Sequence, residues 1–292
     1  MPQDCWRLLD ILRETSLYFQ RKGLENPRLQ AELLLADVLR LRRIDLYLQY
    51  ERVLTDAEVG AYREHVRQRA RRRPVQYIVG SAGFRHLDLS VHEGVLIPRP
   101  ETEEVAGAVL ALVRDRQAPR VLDLGCGTGA IGLAVAHEHS GARVVAVDLS
   151  PAAVRNARAN AARTGLADRV WVVQGDLFAP LAPAGAGGGF DVVVSNPPYI
   201  PRDRIASLQP EVRDYEPHLA LDGGPDGLDV YRRIVAEASA HLRPAGRLVL
   251  ELGDGQPGAV SSLAAAQGLV VEDIRPDLNG TPRVLIASRR EA

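Results

Sequence analysis

Two short stretches carry residue types that could do chemistry together. The first is "SNPPY", residues 195–199, where the apolar run of residues 192–194 meets an asparagine, two prolines and a tyrosine. A residue before proline is pushed towards extended backbone, and Pro197 and Pro198 have fixed φ and no N–H. Bare carbonyls and one oriented amide remain. The Asn196 side-chain oxygen and the Pro197 carbonyl could each accept one N–H of a planar NH2 group, with Tyr199 against its plane. Hydride transfer has no use for such an acceptor pair, whereas methylation of an amide or an exocyclic amine does. Asn and Pro are also ordinary turn residues, so the stretch by itself is equally a rigid strand end.

The second stretch is "DLGCGTGAIG", residues 123–132. It follows an apolar run and opens a helical one, so Gly125, Gly127 and Gly129 let the backbone approach a ligand at a helix N-terminus. Gly127, Gly129 and Gly132 also fit the GxGxxG spacing. Asp148 ends the next apolar run, where its carboxylate suits two ribose hydroxyls of either NAD or S-adenosylmethionine. Ligands of open parallel sheets sit beyond the carboxyl ends of the strands, which puts Asn196 in the crevice of the glycine loop. In that company the acceptor pair favours the methyl donor. An amide nitrogen is a poor nucleophile, so transfer is expected to be direct and in line. It would be driven by positioning and by preorganised oxygens on Asn196 and Pro197 rather than by a conventional general base.

The elements that must hold these stretches alternate. "RVLDLG", "ARVVAVD", "RVWVVQGD" and "FDVVVSN" are short apolar runs separated by helical stretches such as "AIGLAVAHEH" and "SPAAVRNARANAAR", with Ser150 and Pro151 marking a helix start. This predicts a parallel sheet with helices on both faces, an α/β fold. "LVVEDIRPDL" and "RVLIASR", joined through "NGTP", predict an antiparallel hairpin at its edge. "PAGAGGG", residues 183–189, predicts a flexible surface loop. From Trp6 to Arg73 the texture is helical instead. Leu8, Leu12 and Phe19 share a stripe, Asn26 and Pro27 read as an N-cap and first turn, and "TDAE" from Thr55 is a capping box. Val59, Tyr62 and Val66 share a face until Pro74. Residues 75–97 turn strand-like, which predicts a linking hairpin. The expected organisation is a helical bundle over 1–73, a hairpin linker over 74–97 and a catalytic domain over 98–292.

Composition sets the class. The 292 residues are enough for two units with real cores. Cys5 and Cys126 are too few and too far apart for a disulfide framework or a metal site. The N-terminal stretch is interrupted by Asp4, Arg7 and Asp10, and no segment is long and apolar enough to span a bilayer, so no membrane partner and a cytoplasmic location are expected. Net charge is −1; residues 1–80 carry +4, from 15 Lys and Arg against 11 Asp and Glu, and the remainder −5. That balance does not suit stable nucleic-acid binding by electrostatics. No metal is expected, because the seven histidines and the carboxylates show no ligand spacing.

"PVQYIVG", "VLIPRPETEE", "VLDLGCGTGAIGLAVA", "SNPPYIP", "EPHLALDGGPDGLDVYRRI" and "LVLELGDGQ", in this order, closely resemble the HemK family of protein glutamine N5-methyltransferases, above all its release factor glutamine methyltransferases. The resemblance runs from about residue 74 to the C-terminus, and the mildly basic helical front resembles that family's N-terminal bundle. It implies a Rossmann-like class I methyltransferase with a mostly parallel seven-stranded sheet, using S-adenosylmethionine and releasing S-adenosylhomocysteine. The implied substrate is the glutamine of the Gly-Gly-Gln loop of peptide chain release factors, a modification that tunes translation termination, and a monomer is expected. By the same resemblance Gly125, Cys126, Gly127, Thr128 and Gly129 would wrap the methionine part of the cofactor. Asp148 would take its ribose, Leu177 beside Asp176 would lie near adenine, and Asn196 would border both ligands. Asn196, Pro197, Pro198 and Tyr199 would hold the glutamine. Cys126 stands where the family often has threonine, and "DLNGTPR" replaces a common "DLAG".

Other readings stay open. "IPRPETEE", residues 97–104, either borders the pocket or is a proline-started helix whose glutamates suit its dipole. Arg67, Arg69, Arg71, Arg72 and Arg73 either meet an acidic partner or form a solvated helix end. Glutamine methylation of a ribosomal protein and N6-adenine or N4-cytosine methylation of DNA would use the same acceptor chemistry, though DNA would want a basic groove. An NAD-binding protein, or a partner that binds the release factor without turnover, is the reading from another class.

Overall fold

The computed structural model describes residues 6–184 and 188–289. Cys5 and part of the loop expected over residues 183–189 therefore lie outside the described residues. The chain divides into two units, Met1–Gly80 with Pro210–Tyr215, and Ser81–Gln209 with Glu216–Ala292.

The first unit holds α1 (Leu8–Arg21), α2 (Pro27–Leu39), α3 (Arg43–Leu48), α4 (Asp56–Ala70) and α5 (Val75–Val79). Leu8, Ile11 and Phe19 bury one stripe of α1, with Leu12 packed beside them. Tyr62 of α4 is fully buried and donates its hydroxyl to the Ala31 carbonyl at 3.1 Å. Thr55 and Glu58 make the capping box. Asn26 stands at the N-cap of α2, yet its side chain makes no cap bond. Its φ of 45° is left-handed, whereas a capping side chain needs extended backbone to reach the first-turn amides.

Residues 75–79 form one turn of helix, not the expected strand. Val75, Ile78 and Val79 all pack on the helical core, a spacing that only a helical turn can put on one face. The strand pair starts after Gly80, with β1 (Ser81–Phe84) and β2 (Leu87–Ser90) antiparallel.

The arginine run is a solvated end only in part: Arg67 and Arg71 are exposed, while Arg69 turns inward. Arg69 is 4% exposed and bonds Glu211 at 2.7 Å, joined there by Arg72 at 3.2 Å. The Tyr215 hydroxyl donates to the Arg71 carbonyl at 2.8 Å. Residues 210–215, which include the short helix α9 (Pro210–Arg213), are held in the helical unit by these bonds.

The second unit is built on a sheet of β3 (Arg120–Leu124), β4 (Arg143–Asp148), β5 (Val170–Gln174), β6 (Phe190–Ser195), β7 (Leu242–Glu251), β8 (Leu269–Pro276) and β9 (Pro282–Arg289). Their order is β5-β4-β3-β6-β7-β9-β8. Pairs from β5 to β7 are parallel, and β9 runs antiparallel between β7 and the edge strand β8. The remaining helices are α6 (Thr102–Val113), α7 (Ala130–Glu138), α8 (Pro151–Arg163), α10 (Asp229–His241) and α11 (Pro257–Ala266). Strand alternation splits the core into two layers. Val121, Val192 and Val194 pack with α6 and α7, while Leu122, Leu124 and Val193 pack with α10 on the other face. Strand order reverses between β3 and β6, and such a switch point opens a crevice at the carboxyl ends of the strands.

Candidate active site

The two chemically suggestive stretches meet at that switch point. Leu124 and Ser195 are register partners on β3 and β6, and the Ser195 hydroxyl donates to the Leu124 carbonyl at 2.7 Å. The next residues along the chain, Gly125 and Asn196, both line one cavity of the second unit. Gly125 N–H and Cys126 N–H donate to the Val147 carbonyl at 2.8 and 3.1 Å, which folds the glycine loop over the end of β4. The Asp148 carboxylate accepts from Gly127 N–H and from Ser150 N–H, each at 2.8 Å. One amide on each oxygen leaves further lone pairs for a ligand. Burial pushes this carboxyl above its ordinary range, against the pull of those amides.

Gly125, Cys126, Gly127, Thr128, Asp148, Leu177, Asn196 and Pro198 all line the cavity. At Gly125 and Gly127 φ is positive, and an added Cβ would meet nothing within 4 Å. Open space beside bare backbone on the cavity wall is the cradle that a closely approaching ligand needs. Gly129 is brought to the same loop but not to the cavity wall. Its Cβ would press on Leu133 and Ala157, so its φ of 81° and small size serve the start of α7. Gly132 lets α7 pack on β4, since a Cβ there would come 2.9 Å from Val144. Beneath the loop, burial pushes the Asp123 carboxyl up to about 7, with the Asp148 charge adding to the shift. Leu177 holds a left-handed φ of 48°, unusual for a residue with a Cβ, and next to it Asp176 pairs with Arg233 at 2.8 Å.

The asparagine end is held as firmly. Asn196 donates through Nδ2 to Thr102 Oγ1 at 3.1 Å. Pro197 is buried, and neither it nor Tyr199 lines the cavity. Tyr199 packs into the core shared with α10, its carbonyl accepts from Gln256 Nε2 at 2.9 Å, and its hydroxyl lies 3.5 Å from Glu251 Oε1. The tyrosine thus anchors the turn from behind.

Sequence reasoning did not single out Thr102, Glu251 or Gln256. Thr102 is 5% exposed and donates to Glu251 Oε2 at 2.6 Å; Glu251 is 1% exposed. A signal was present for Glu251, a lone carboxylate inside the apolar run "LVLELG", where a buried strand has no reason to carry charge. For Thr102 the signal was only its place in "IPRPETEE", which said nothing of its partners. "IPRPETEE" does border the cavity, through Pro98, Arg99 and Thr102, and Arg99 is fixed by a 2.6 Å bond to the buried Glu216. Among the described residues no group of three His, Cys, Asp or Glu side chains could hold a metal ion, and no helix is long and apolar enough to cross a membrane.

Comparison with known proteins gives the family and the fold. Residues 10–80 match the PrmC N-terminal domain, and residues 103–208 the methyltransferase small domain. The release factor glutamine methyltransferase of Geobacter sulfurreducens is 44% identical over 97% of this chain and 96% of its own length. That of Moorella thermoacetica is 45% identical over 92% of this chain and 94% of its own length. A methyltransferase from Pyrococcus furiosus shares the fold at a TM-score of 0.50 and 22% identity, covering 69% of this chain and 88% of that one.

Proposed function

The chain belongs to the release factor glutamine methyltransferase family, and we propose that it methylates the side-chain amide nitrogen of the glutamine in the Gly-Gly-Gln loop of peptide chain release factors. The observation that carries the reading is the Asn196 amide. Its Nδ2 is occupied by Thr102, and it stands on the wall of the cavity that the glycine loop also lines.

S-adenosylmethionine, when bound, supplies an electrophilic methyl group: the new C–N bond forms as the C–S bond breaks, its electron pair stays on sulfur, and the nitrogen releases a proton to water. Gly125, Cys126, Gly127 and Thr128 would hold the methionine part of this cofactor against open backbone, with Gly129 shaping the loop. Asp148 would accept its ribose hydroxyls, and Asp176 with Leu177 would border its adenine. Asn196 Oδ1, on the cavity wall, would accept one N–H of the substrate amide; the carbonyl of Pro197, a buried residue off that wall, is the proposed acceptor of the other. That arrangement localises electron density on nitrogen and meets the positive charge that develops there with fixed oxygens. Pro198 and Tyr199 keep the pair in place, Tyr199 through its bond with Gln256.

The test is mass spectrometry with tryptic mapping of a purified release factor after incubation with the protein and S-adenosylmethionine. One added methyl on the Gly-Gly-Gln glutamine, absent with Asn196→Ala, is the expected result. A methyl found only on a ribosomal protein or on DNA bases would overturn the substrate assignment and keep the acceptor chemistry.

A further inference from the structure

Asn196 can accept an N–H from a substrate only if its amide is turned with Oδ1 outward. A planar amide inverted by 180° would present two donors to an NH2 group and could not bind it. The turn itself does not choose between the two orientations, because Pro197 and Pro198 fix backbone and not the amide torsion of Asn196. Two side chains on two other elements make the choice. Asn196 follows β6, Thr102 opens α6 and Glu251 ends β7, and they lie in series at 3.1 and 2.6 Å.

We infer that Thr102 and Glu251 are positioning residues that set the direction of the Asn196 amide. This rests on the reading of Asn196 given above. A carboxylate only accepts, and a threonine hydroxyl has a single proton. With Glu251 ionised, that proton is committed to Oε2, so the Thr102 oxygen can only accept and only Nδ2 of Asn196 can face it. Oδ1 is then directed away from Thr102, towards the substrate amide. With Glu251 protonated the series can reverse: the carboxyl donates to Thr102, Thr102 donates to Oδ1, and the NH2 group turns outward. Glu251 is therefore expected to act as the ionised form.

Burial pushes the Glu251 carboxyl up to about 7, which puts the change of direction in an observable pH range. The groups that face it act in both directions. Arg283 on β9, the Thr102 hydroxyl and the Tyr199 hydroxyl favour the ion, Glu101 beside α6 opposes it, and Tyr231 of α10 spends its own hydroxyl on the Glu251 backbone carbonyl at 2.7 Å.

The experiment measures kcat, KM for a purified release factor and cofactor affinity, from pH 5.5 to 9, in wild type, Thr102→Val, Thr102→Ser, Glu251→Gln and Asn196→Ala. Thr102→Val is expected to lose about 10- to 100-fold in kcat, by analogy with the loss of partners that orient metal-binding side chains, with cofactor affinity within about 3-fold. Thr102→Ser, which keeps the hydroxyl, should recover most of that loss. Wild-type kcat should rise with pH through a group near neutrality, and this limb should vanish in Glu251→Gln, a result that mere loss of packing would not give. A wild-type kcat in Thr102→Val, or an unchanged pH limb in Glu251→Gln, overturns the inference while an inactive Asn196→Ala leaves the acceptor reading intact. A fully active Asn196→Ala overturns both.

Discussion

The hydroxyl of Ser195 donates to the main-chain carbonyl of Leu124 at 2.7 Å, joining the last residues of two neighbouring strands inside the core. This bond adds to the β3–β6 ladder that spaces the glycine loop, which begins at Gly125, from the Asn-Pro-Pro turn, which begins at Asn196. Ser195→Ala leaves a buried carbonyl without this donor, which costs about 1–3 kcal/mol. The expected outcome is a lower denaturant midpoint and a fall in kcat larger than the change in cofactor affinity, read from urea unfolding, steady-state kinetics and calorimetric titration.

Gly127 and Gly132 separate binding from packing. Gly127→Ala places a methyl in open space at the cavity wall and forces a φ of 55° on a residue with a Cβ, at about 1–2 kcal/mol. Calorimetry should show cofactor affinity reduced at least tenfold with a modest drop in stability. Gly132→Ala drives a methyl against Val144 and Asp123, overpacking that costs about 1–3 kcal/mol, and urea unfolding should show it as a loss of stability.

Asp123 makes stability depend on pH. Its folded value of about 7 lies above its ordinary value of 3.8, so the native state holds the proton more tightly than the unfolded chain. The contribution is complete below pH 3.8 and is lost as pH rises through 7. Between these limits wild type should lose stability relative to Asp123→Asn, with a difference in slope of at most about 1.4 kcal/mol per pH unit. Equal slopes in urea unfolding from pH 4.5 to 8 would contradict this.

Arg69 is a buried cation whose partner arrives from 142 residues further along the chain. Arg69→Ala takes from Glu211 its 2.7 Å partner and removes a guanidinium that also bonds Gln30 and the Arg73 carbonyl. A loss of ~3 kcal/mol is expected, the low end for breaking a buried pair. Limited proteolysis of the full chain should show faster cleavage within residues 210–215.

What the sequence determined by itself is what local chemistry imposes. Prolines fix backbone, glycines open it, and alternating apolar runs demand a sheet covered on both faces, so the glycine loop, the place of Asp148, the Asn-Pro-Pro turn and the α/β order were legible from neighbours a few residues apart. The same local logic failed at Val75–Val79, where β-branched residues form a helical turn because the helical core, and not propensity, decides their face. Tertiary structure alone decided which side chains meet. Thr102 and Glu251 are 149 positions apart, and nothing near either names the other. Glu211 reads as a surface acid until the fold brings it to Arg69. A hydrogen bond between distant residues depends on strand order and register, and a buried carboxylate acquires a role only when its single donor is known. The direction of the Asn196 amide is therefore written in the packing of β6, β7 and α6, and in no one stretch of the chain.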